Sequence, residues 1–419
     1  MKIMVKILTL SIITVLVFGN LKFEKEVKAF ESESIDDSDY YLDSHIDDGA
    51  PSLLDGDDFV SYDDYIKFSE QHPNLIVPSN SETEALRSTM AINVPATLKY
   101  TIKGLTATTA VQTACIANGY LFITQREGSD TRLSRCTINE TTKEATVSDY
   151  MTLTNFGHGQ TLDYIGNNSS GSPRFIIGCK ANSSYYEPGP DNTDICYNWS
   201  LQIGRLTYSA GTTVSYTDIP RLAGITYANK NNTAYGTAKR VDAAVSNDLS
   251  KLVIWMKNTI GDVQYSVYDM GMINSVFNTL ENQNVKYAYC NSDSVTACFL
   301  GSCQQISTSA YMPNGSFQGI EIANDLTLKI SGGHEGDIPK IAYITGSINS
   351  NTKTYSLSWT YNATVTNTTN FSGQALEIEG LQLYGSYTNC VIRDTGYTRN
   401  TGKYRVYSIA NSEFTSNNA

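Results

Sequence analysis

The stretch Gln160-Thr161-Leu162-Asp163-Tyr164 contains a pattern that recurs along the chain: glutamine, a small residue, an aliphatic residue, an acid and an apolar residue. Two stretches repeat it and a third matches it more weakly: Gln318-Gly319-Ile320-Glu321-Ile322, Gln374-Ala375-Leu376-Glu377-Ile378 and Gln112-Thr113-Ala114-Cys115-Ile116. Each copy opens a segment of apolar and alternating stretches separated by turns rich in Gly, Asn, Asp or Ser. Strands that recur in this way are typical of a radial repeat.

A fifth unit lacks the glutamine but keeps the rhythm. It begins at Val241-Asp242-Ala243-Ala244-Val245 and continues with alternating stretches at 251–256 and 263–268. The five starts are spaced unevenly, by roughly 50 to 80 residues, because some connections are long. The sequence therefore predicts an all-β fold, a five-bladed β-propeller over residues 93–415.

The N-terminus has the features of a secretory signal peptide. Lys2 and Lys6 precede an apolar run at 7–18, and Val27-Lys28-Ala29 fits the small-residue cleavage rule. The run is short for a membrane span, and no other stretch is apolar enough to cross a bilayer. We therefore expect residues 1–29 to be a signal peptide and the protein to be secreted.

The segment at 30–92 is strongly acidic. Residues 31–86 contain sixteen acids and one base, Lys67. Their net charge of −15 and the +3 of residues 1–30 account for the −12 of the chain, so residues 87–419 are neutral. Such a composition predicts disorder, with short helices at 62–71 and 81–86 as an option. The segment fits a pro-segment, a spacer across the cell wall or a flap.

The neutral remainder argues against two classes of partner. Nucleic-acid binding depends on neutralising phosphates, and no run of Lys and Arg with interleaved aromatic residues occurs. A basic amphipathic helix for anionic membranes is also missing from the sequence. We expect neither nucleic acid nor a stable membrane span.

Eight cysteines in a secretory context permit disulfides, whose connectivity the sequence leaves open. Cys179 with Cys196 would close one loop, and Cys298 with Cys303, or either with Cys290, would close another. Cys115 fits a buried thiol equally well. The four histidines and the lack of a CxxC pair predict no zinc site, and no cofactor motif occurs. The stretch Gly332-Gly333-His334-Glu335-Gly336-Asp337 looks metal-like but falls where a hairpin turn is needed.

One helix and three tryptophans stand out in the β-rich region. Residues 269–280 carry an apolar face of helical spacing, which we expect to pack on the outside of the strands. Trp255 lies in an apolar stretch and is expected in the core. Trp199 and Trp359 are the better candidates for exposed contact, for example with sugar rings, although we favour a structural role for each.

Four phrases in order resemble the helveticin J family, the large heat-labile bacteriocins of lactic acid bacteria. They are Asn155-Phe156-Gly157-His158-Gly159-Gln160-Thr161-Leu162-Asp163-Tyr164, Ile219-Pro220-Arg221-Leu222, Lys239-Arg240-Val241-Asp242-Ala243-Ala244-Val245-Ser246 and Ser316-Phe317-Gln318-Gly319-Ile320-Glu321-Ile322. The resemblance implies a secreted antibacterial protein that acts on related Gram-positive cells. It carries over no catalytic residue. The cysteines and the acidic segment depart from the family pattern.

The repeated acids allow three interpretations, of which one is that acids radiating toward one axis bind a cation or another ligand. Asp163, Glu321 and Glu377 occupy one position of the repeat, and Asp242 lies near it with an offset. Acids on the inner strands of a propeller would be the catalytic residues of a wall-directed glycosidase, which needs two carboxyls about 5 Å or about 6.5–9.5 Å apart. The alternative, which we favour, is that the Gln and acidic side chains satisfy buried backbone groups between blades.

The residues that we expect to bind a ligand lie at the starts of the inner strands and in one loop. His158 lies between two glycines, which allow close approach of a ligand, although a locally bonded loop histidine is the simpler alternative. The predicted set is His158, Gln160, Trp199, Gln318 and Gln374. We predict a non-enzymatic antibacterial protein that recognises an envelope component, with a cell-wall glycan as ligand. A wall hydrolase and a lectin-like surface adhesin are the alternatives.

Overall fold

The computed structural model describes residues 89–188, 194–305, 312–366, 376–394 and 403–418. The predicted signal peptide, most of the acidic segment with its two optional helices, and Gln374 lie outside these ranges. Residues 282–285 fall in a different compact unit from the other described residues. All contacts discussed below belong to the larger unit.

The described ranges are all-β, as predicted, with 25 strands and two α-helices besides short 3-10 turns. In chain order the strands are β1 (Met90–Pro95), β2 (Thr97–Lys103), β3 (Val111–Ala117), β4 (Tyr120–Glu127), β5 (Asp130–Asn139), β6 (Glu144–Thr154), β7 (Leu162–Asn167), β8 (Pro173–Ala181), β9 (Glu187–Pro188), β10 (Asp194–Ile195), β11 (Ser200–Thr207), β12 (Thr213–Ser215), β13 (Arg221–Ala223), β14 (Ala238–Val245), β15 (Lys251–Asn258), β16 (Val263–Asp269), β17 (Tyr287–Tyr289), β18 (Phe299–Gln305), β19 (Gly319–Ile322), β20 (Leu328–Gly332), β21 (Lys340–Asn349), β22 (Thr354–Thr366), β23 (Leu376–Tyr384), β24 (Tyr387–Asp394) and β25 (Lys403–Ala410).

Most of these strands form five antiparallel groups of four that follow one another along the chain. The groups are β3-β4-β5-β6, β7-β8-β11-β13, β14-β15-β16-β18, β19-β20-β21-β22 and β23-β24-β25-β2. The fourth strand of the last group is β2, which precedes the first group in sequence and pairs with β25. The chain is thus closed on itself by a strand from its N-terminal part.

The first strand of each group contacts the first strand of the next group. The contacts run from β3 to β7, β14, β19 and β23, and β23 contacts β3 again. We call these five the inner strands. They are buried along most of their length, as expected for strands covered on both faces. Because they lie side by side, their first residues meet at one end and their hairpin turns at the other.

Apolar side chains between neighbouring groups form the core. Trp255 is only 1% exposed, which confirms its predicted place. Trp359 is 3% exposed and belongs to the same cluster, so it has the structural role that we favour for it and is not available for contact. Its strand, β22, is the outer strand of its group, and β1 pairs with the later part of this strand, at 361–366.

The predicted helix is present as α1 (Met270–Gln283), and a short second helix, α2 (Asp293–Thr296), follows. The predicted apolar face of α1 is buried through Met270, Ile273, Phe277 and Leu280. Arg205 of β11 reaches this helix and donates to the backbone carbonyl of Asn274 at 3.2 Å. Among the described residues, no helix has the length and apolar character needed to cross a bilayer.

The proposed disulfides are not formed. Six cysteines are free thiols, namely Cys115, Cys136, Cys196, Cys290, Cys298 and Cys390. This rules out the pairing of Cys179 with Cys196 and every pairing considered among Cys290, Cys298 and Cys303. The buried thiol at Cys115 is confirmed. Most of these sulfurs are packed in apolar surroundings, where a cysteine behaves as a small hydrophobic residue.

Candidate functional site

Side chains at one equivalent position of the inner strands bond the backbone of the next inner strand. The carboxylate of Asp163 accepts from the N–H of Val245 at 2.7 Å. The N–H of Leu383 donates in the same way to Glu321, and the N–H of Tyr164 donates to the Cys115 thiol. In the last group Gln382 takes this place and bonds Ile116. The five equivalent positions are Cys115, Asp163, Ala244, Glu321 and Gln382.

This register corrects the sequence alignment at two places. Gln382, and not Glu377, is the equivalent of Asp163 in the last group, where the matching phrase reads Glu379-Gly380-Leu381-Gln382-Leu383. The glutamine phrase lies five residues earlier in the chain, and a β-bulge between Ile378 and Leu381 separates it from the equivalent position. In the third group Ala244 takes the position, and Asp242 lies two residues earlier. Small residues let the strands approach closely, since a Cβ at Gly380 would clash with Thr113.

We call the five equivalent positions the ring. Its two acids, Asp163 and Glu321, are buried and lie close enough to interact electrostatically. Burial raises the pKa of Asp163 to about 7. Burial, and then the charge of Asp163, raises the pKa of Glu321 well above its ordinary value. Both groups bond backbone N–H groups in a dry environment, which favours the structural interpretation of the repeated acids over a catalytic one.

A second polar cluster lies at the starts of the inner strands. We call Gln160, Arg240, Gln318 and Glu377 the glutamine cluster. The amide of Gln160 donates to the Oε1 of Gln318 at 2.9 Å, although the two residues belong to the second and fourth groups. The amide of Gln318 donates to Glu377 at 3.4 Å and to the carbonyl of Gly333 at 3.1 Å. The structure thus brings two of the predicted ligand-binding residues into contact.

Arg240 orients both amides of this cluster. A guanidinium only donates, and it donates to the Oε1 of Gln160. The amide nitrogen of Gln160 must then face Gln318, and the amide nitrogen of Gln318 must face Glu377. Sequence reasoning did not assign Arg240 to the site. The signal that would have indicated it is its spacing from Asp242, because residues i and i+2 of a strand share a face, and the two side chains form an ion pair at 2.8 Å.

His158 and Trp199 lie beside the glutamine cluster. The imidazole stacks on the indole with ring centroids 4.0 Å apart, and the Arg240 guanidinium lies 3.9 Å from the same indole ring. The indole N–H donates to Glu187 at 3.2 Å. Trp199 therefore is a packed, half-buried residue and not the open platform that the sequence suggested.

His158 is held by its neighbours in a neutral form. Its Nδ1 lies 2.7 Å from the carbonyl oxygen of Tyr197, so Nδ1 carries the proton and Nε2 is left as an acceptor. Burial, and then the charge of Arg126, lowers its pKa well below the ordinary value. Glycine is required at the preceding position, since Gly157 has a positive φ and a Cβ there would meet the carbonyl oxygen of Asn198 at 2.5 Å.

Glu377 and its neighbours form the outer edge of the cluster. Arg393 forms an ion pair with Glu377 and another, at 3.4 Å, with Glu335. Burial raises the pKa of Glu377, and the charge of Arg393 opposes that rise. Glu379 is buried next to it, and its pKa is raised by burial and then by the charge of Glu377. The edge thus presents half-buried carboxylate and guanidinium groups.

The metal-like stretch at 332–337 forms the turn between β20 and β21, as its position required. The backbone N–H of His334 donates to Asp337 at 2.8 Å, a local bond that stabilises the turn. Within the described ranges no three side chains of His, Cys, Asp or Glu are grouped so that they could hold a metal ion.

The four acids considered as catalytic residues do not converge on one point. Asp163 and Glu321 lie in the ring between the inner strands, where each bonds a backbone N–H. Asp242 is paired with Arg240, and Glu377 with Arg393. The described chain is thus an all-β protein with a polar cluster built from the starts of strands in several groups.

Comparison with known proteins gives the family. The sequence profile of the bacteriocin helveticin-J family matches residues 90–412, which is most of the chain, and the protein belongs to this family. The expectation drawn from the four sequence phrases is confirmed. No curated protein matches the chain significantly in sequence.

Solved structures show only distant likeness. An α-L-arabinofuranosidase from Podospora anserina, solved with cellotriose, has a TM-score of 0.38 at 9% identity, covering 77% of this chain and 97% of that one. A GH43_1 enzyme from Xanthomonas citri has a TM-score of 0.35 at 12% identity, covering 81% and 95%. A hypothetical protein from Leishmania major has a TM-score of 0.32 at 10% identity, covering 81% and 96%. At these scores the likeness carries no conclusion about activity.

Proposed function

We propose that this protein is a secreted antibacterial protein that recognises the envelope of related Gram-positive bacteria by binding a cell-wall glycan without hydrolysing it. Residues 1–29 would be its signal peptide and residues 30–92 its acidic segment, of which the last three residues belong to β1. Residues 93–415 would form a five-bladed β-propeller. The five groups of four strands, whose first strands contact one another in a closed cycle, support this number of blades.

The observation that carries the proposal is the fixed orientation of the glutamine cluster. Arg240 sets the two amides so that donors and acceptors occupy defined places at the starts of the inner strands. Gln318 and Glu377 are half-buried, so part of each residue reaches the surface. A sugar offers hydroxyl groups that both donate and accept. A few polar groups held in fixed positions are typical of sites that recognise such ligands.

Binding without hydrolysis agrees with the state of the acids. A glycosidase needs one carboxyl that donates a proton and a second that acts as nucleophile or base, both reaching the glycosidic bond. Asp163 and Glu321 are buried between strands and bonded to backbone, while Asp242 and Glu377 are held by arginines. The raised pKa values of Asp163 and Glu321 keep the hydrolase as a second candidate.

Purified protein incubated with isolated Gram-positive cell walls tests the proposal. We expect saturable binding, no release of reducing ends, and competition by soluble wall fragments. Because stacking and hydrogen bonds are less screened than exposed charges, binding should persist as salt is raised from about 0.05 to about 0.5 M. Release of reducing ends would establish the hydrolase instead. Loss of binding at high salt would indicate a charged receptor.

The variant Gln318→Leu locates the site, with Gln112→Leu as the matched control. Gln112 occupies the equivalent position of the first group but is buried outside the cluster. We expect Gln318→Leu to weaken wall binding at least fivefold and Gln112→Leu to leave it within twofold. Killing of living cells by the unmodified protein separates a bacteriocin from a surface adhesin, which would bind walls without killing.

A further inference from the structure

We propose that the opposite end of the inner strands is a second glycan-binding surface, with Tyr384 and Tyr387 as its stacking residues. The ligand is a cell-wall glycan, as in the proposed function, and this choice of ligand rests on that proposal. Its residues are different, because they lie in the hairpin turns that follow the inner strands. We call this surface the turn end. Two binding surfaces on one molecule would let it engage a repeating polymer at more than one point.

Hydrogen bonds tie the turns of different groups together. The side chains of Asn118 and Asn167 bond each other at 2.7 Å, between the first and second groups. Asn247 donates to the carbonyl of Gly385 at 3.3 Å, between the third and fifth groups. The N–H of Asp248 donates to Asn324 at 3.3 Å. The turn end is thus a set of mutually held turns and not five independent loops, so its groups are fixed in position.

Tyr384 and Tyr387 are the aromatic residues of this surface. They are paired directly across the two-residue turn between β23 and β24, so both rings lie on the same face of the hairpin. They are 45% and 49% exposed, among the most exposed large apolar side chains of the described residues. A Cβ at Gly385 between them would meet nothing within 4 Å, which shows that the space over the turn is open.

The surroundings of the two rings fit a neutral polysaccharide. The C–H face of a pyranose ring packs on an aromatic ring, and side-chain amides bond its hydroxyl groups. Exposed amides of Asn247 and Asn324 lie in the adjoining turns. The exposed acids Asp248 and Asp325 lie in the adjoining turns, and the Lys99 ammonium lies 5.9 Å from the centroid of the Tyr384 ring, so the surface carries both signs of charge and favours a neutral ligand over a polyanion. These polar groups also disfavour insertion into a lipid surface.

The double variant Tyr384→Ala/Tyr387→Ala tests the surface. The probe is purified Gram-positive peptidoglycan from which teichoic acids have been stripped, in a sedimentation binding assay. Each stacking ring is worth roughly threefold to tenfold in affinity, so we expect binding to weaken about tenfold or more. Tyr384→Phe/Tyr387→Phe keeps both rings and should stay within threefold of the unmodified protein. Tyr150→Ala, which removes a tyrosine that is 38% exposed on β6, is the control and should change nothing.

The outcomes separate this inference from the proposed function. If the double alanine variant loses binding and Gln318→Leu binds normally, the turn end is supported as a binding surface. The same result overturns the glutamine cluster as a binding site. The reverse result overturns the turn end and leaves the proposed function in place. Equal loss in the phenylalanine variant, or binding to teichoic acid alone, would also overturn the stacking surface. Thermal unfolding of each variant confirms that its fold is unchanged.

Discussion

The amide of Gln382 bonds both backbone groups of Ile116: its Oε1 accepts the N–H at 2.9 Å and its Nε2 donates to the carbonyl at 3.2 Å. These residues lie 266 positions apart and belong to the last and first inner strands. One side chain thus satisfies two buried polar groups where the cycle of strands closes. This closure joins the two ends of the β region and gives the first prediction.

We expect Gln382→Met to destabilise the protein strongly. The change keeps the shape but leaves the N–H and C=O of Ile116 without this partner, which costs roughly 2–4 kcal/mol. The measurement is the free energy of unfolding in urea. Gln112→Met is the control, since Gln112 makes one long bond, 3.4 Å, to Ala110, and it should cost about 1 kcal/mol or less. Equal effects of both changes would contradict a special role for the closure.

Stability should depend on pH through Asp163. Its pKa is raised to about 7, so the native state holds this proton more tightly than the unfolded chain. The contribution of Asp163 to stability therefore falls as pH rises from about 4 to about 7, and it stays low above that. Asp163→Asn keeps an acceptor for the N–H of Val245 and removes the charge. The variant should gain roughly 1–3 kcal/mol over the unmodified protein at pH 8 and little at pH 4.5.

The control for that prediction is a second aspartate, Asp248, whose variant is also measured at two pH values. Asp248 is exposed, and its hydrogen bonds to Ser246 and Ser250 outweigh desolvation and lower its pKa. Asp248→Asn should therefore lose stability at pH 8 relative to pH 3, the opposite direction to Asp163→Asn. A gain for Asp163→Asn that is the same at pH 4.5 and pH 8 would show that the Asp163 carboxyl is not buried.

Trp199→Ala should destabilise the protein as well as weaken wall binding. The indole packs on His158 and Arg240, so its removal leaves a cavity and uncovers one side of the Arg240 guanidinium. The free energy of unfolding should fall by roughly 2–4 kcal/mol. Trp199→Phe keeps an aromatic ring in this stack and should recover most of the stability. Unfolding curves and the wall-binding assay are measured on the same variants. If Trp199→Ala lost binding with its stability unchanged, Trp199 would be an exposed stacking residue instead of a packed one.

A chain that starts at Met90 should unfold cooperatively and close to the midpoint of the full chain. The strand β1 begins at that residue and buries Ile92 and Val94, so the cut must not be made later. A chain that starts after Lys103 should not fold, because it lacks β2 and leaves β25 without its partner. Circular dichroism during thermal unfolding distinguishes the two. Loss of cooperativity in the first chain would place residues before Met90 in the core.

Reducing agents should leave stability unchanged, because the proposed disulfides are not formed. Titration of the denatured protein with a thiol reagent should find at least six thiols. In the native protein the half-buried Cys196 should react before Cys115 and Cys390, whose pKa values are raised by burial. A fall of more than a few degrees in the unfolding temperature with reductant would contradict these assignments.

The sequence by itself determined the class of fold and the region of the site. Periodicity and turn residues are local signals, so they indicated the strands and the helix at Met270–Gln283, while four short phrases indicated the family by resemblance. The repeated glutamines pointed to Gln160 and Gln318, which do meet. Trp255 was placed in the core because its stretch is apolar throughout.

Tertiary structure decided the register and the partners. The equivalent position in β23 is Gln382 and not Glu377, and a bulge at Glu379 and Gly380 lies between the two, which the sequence pattern does not record. Arg240 became the organiser of the glutamine cluster only because β7, β14 and β19 lie side by side. Trp359 is buried because it packs in one cluster with Trp255 and Tyr265 of another group of strands. Each depends on contacts between residues far apart in sequence, which local periodicity cannot specify.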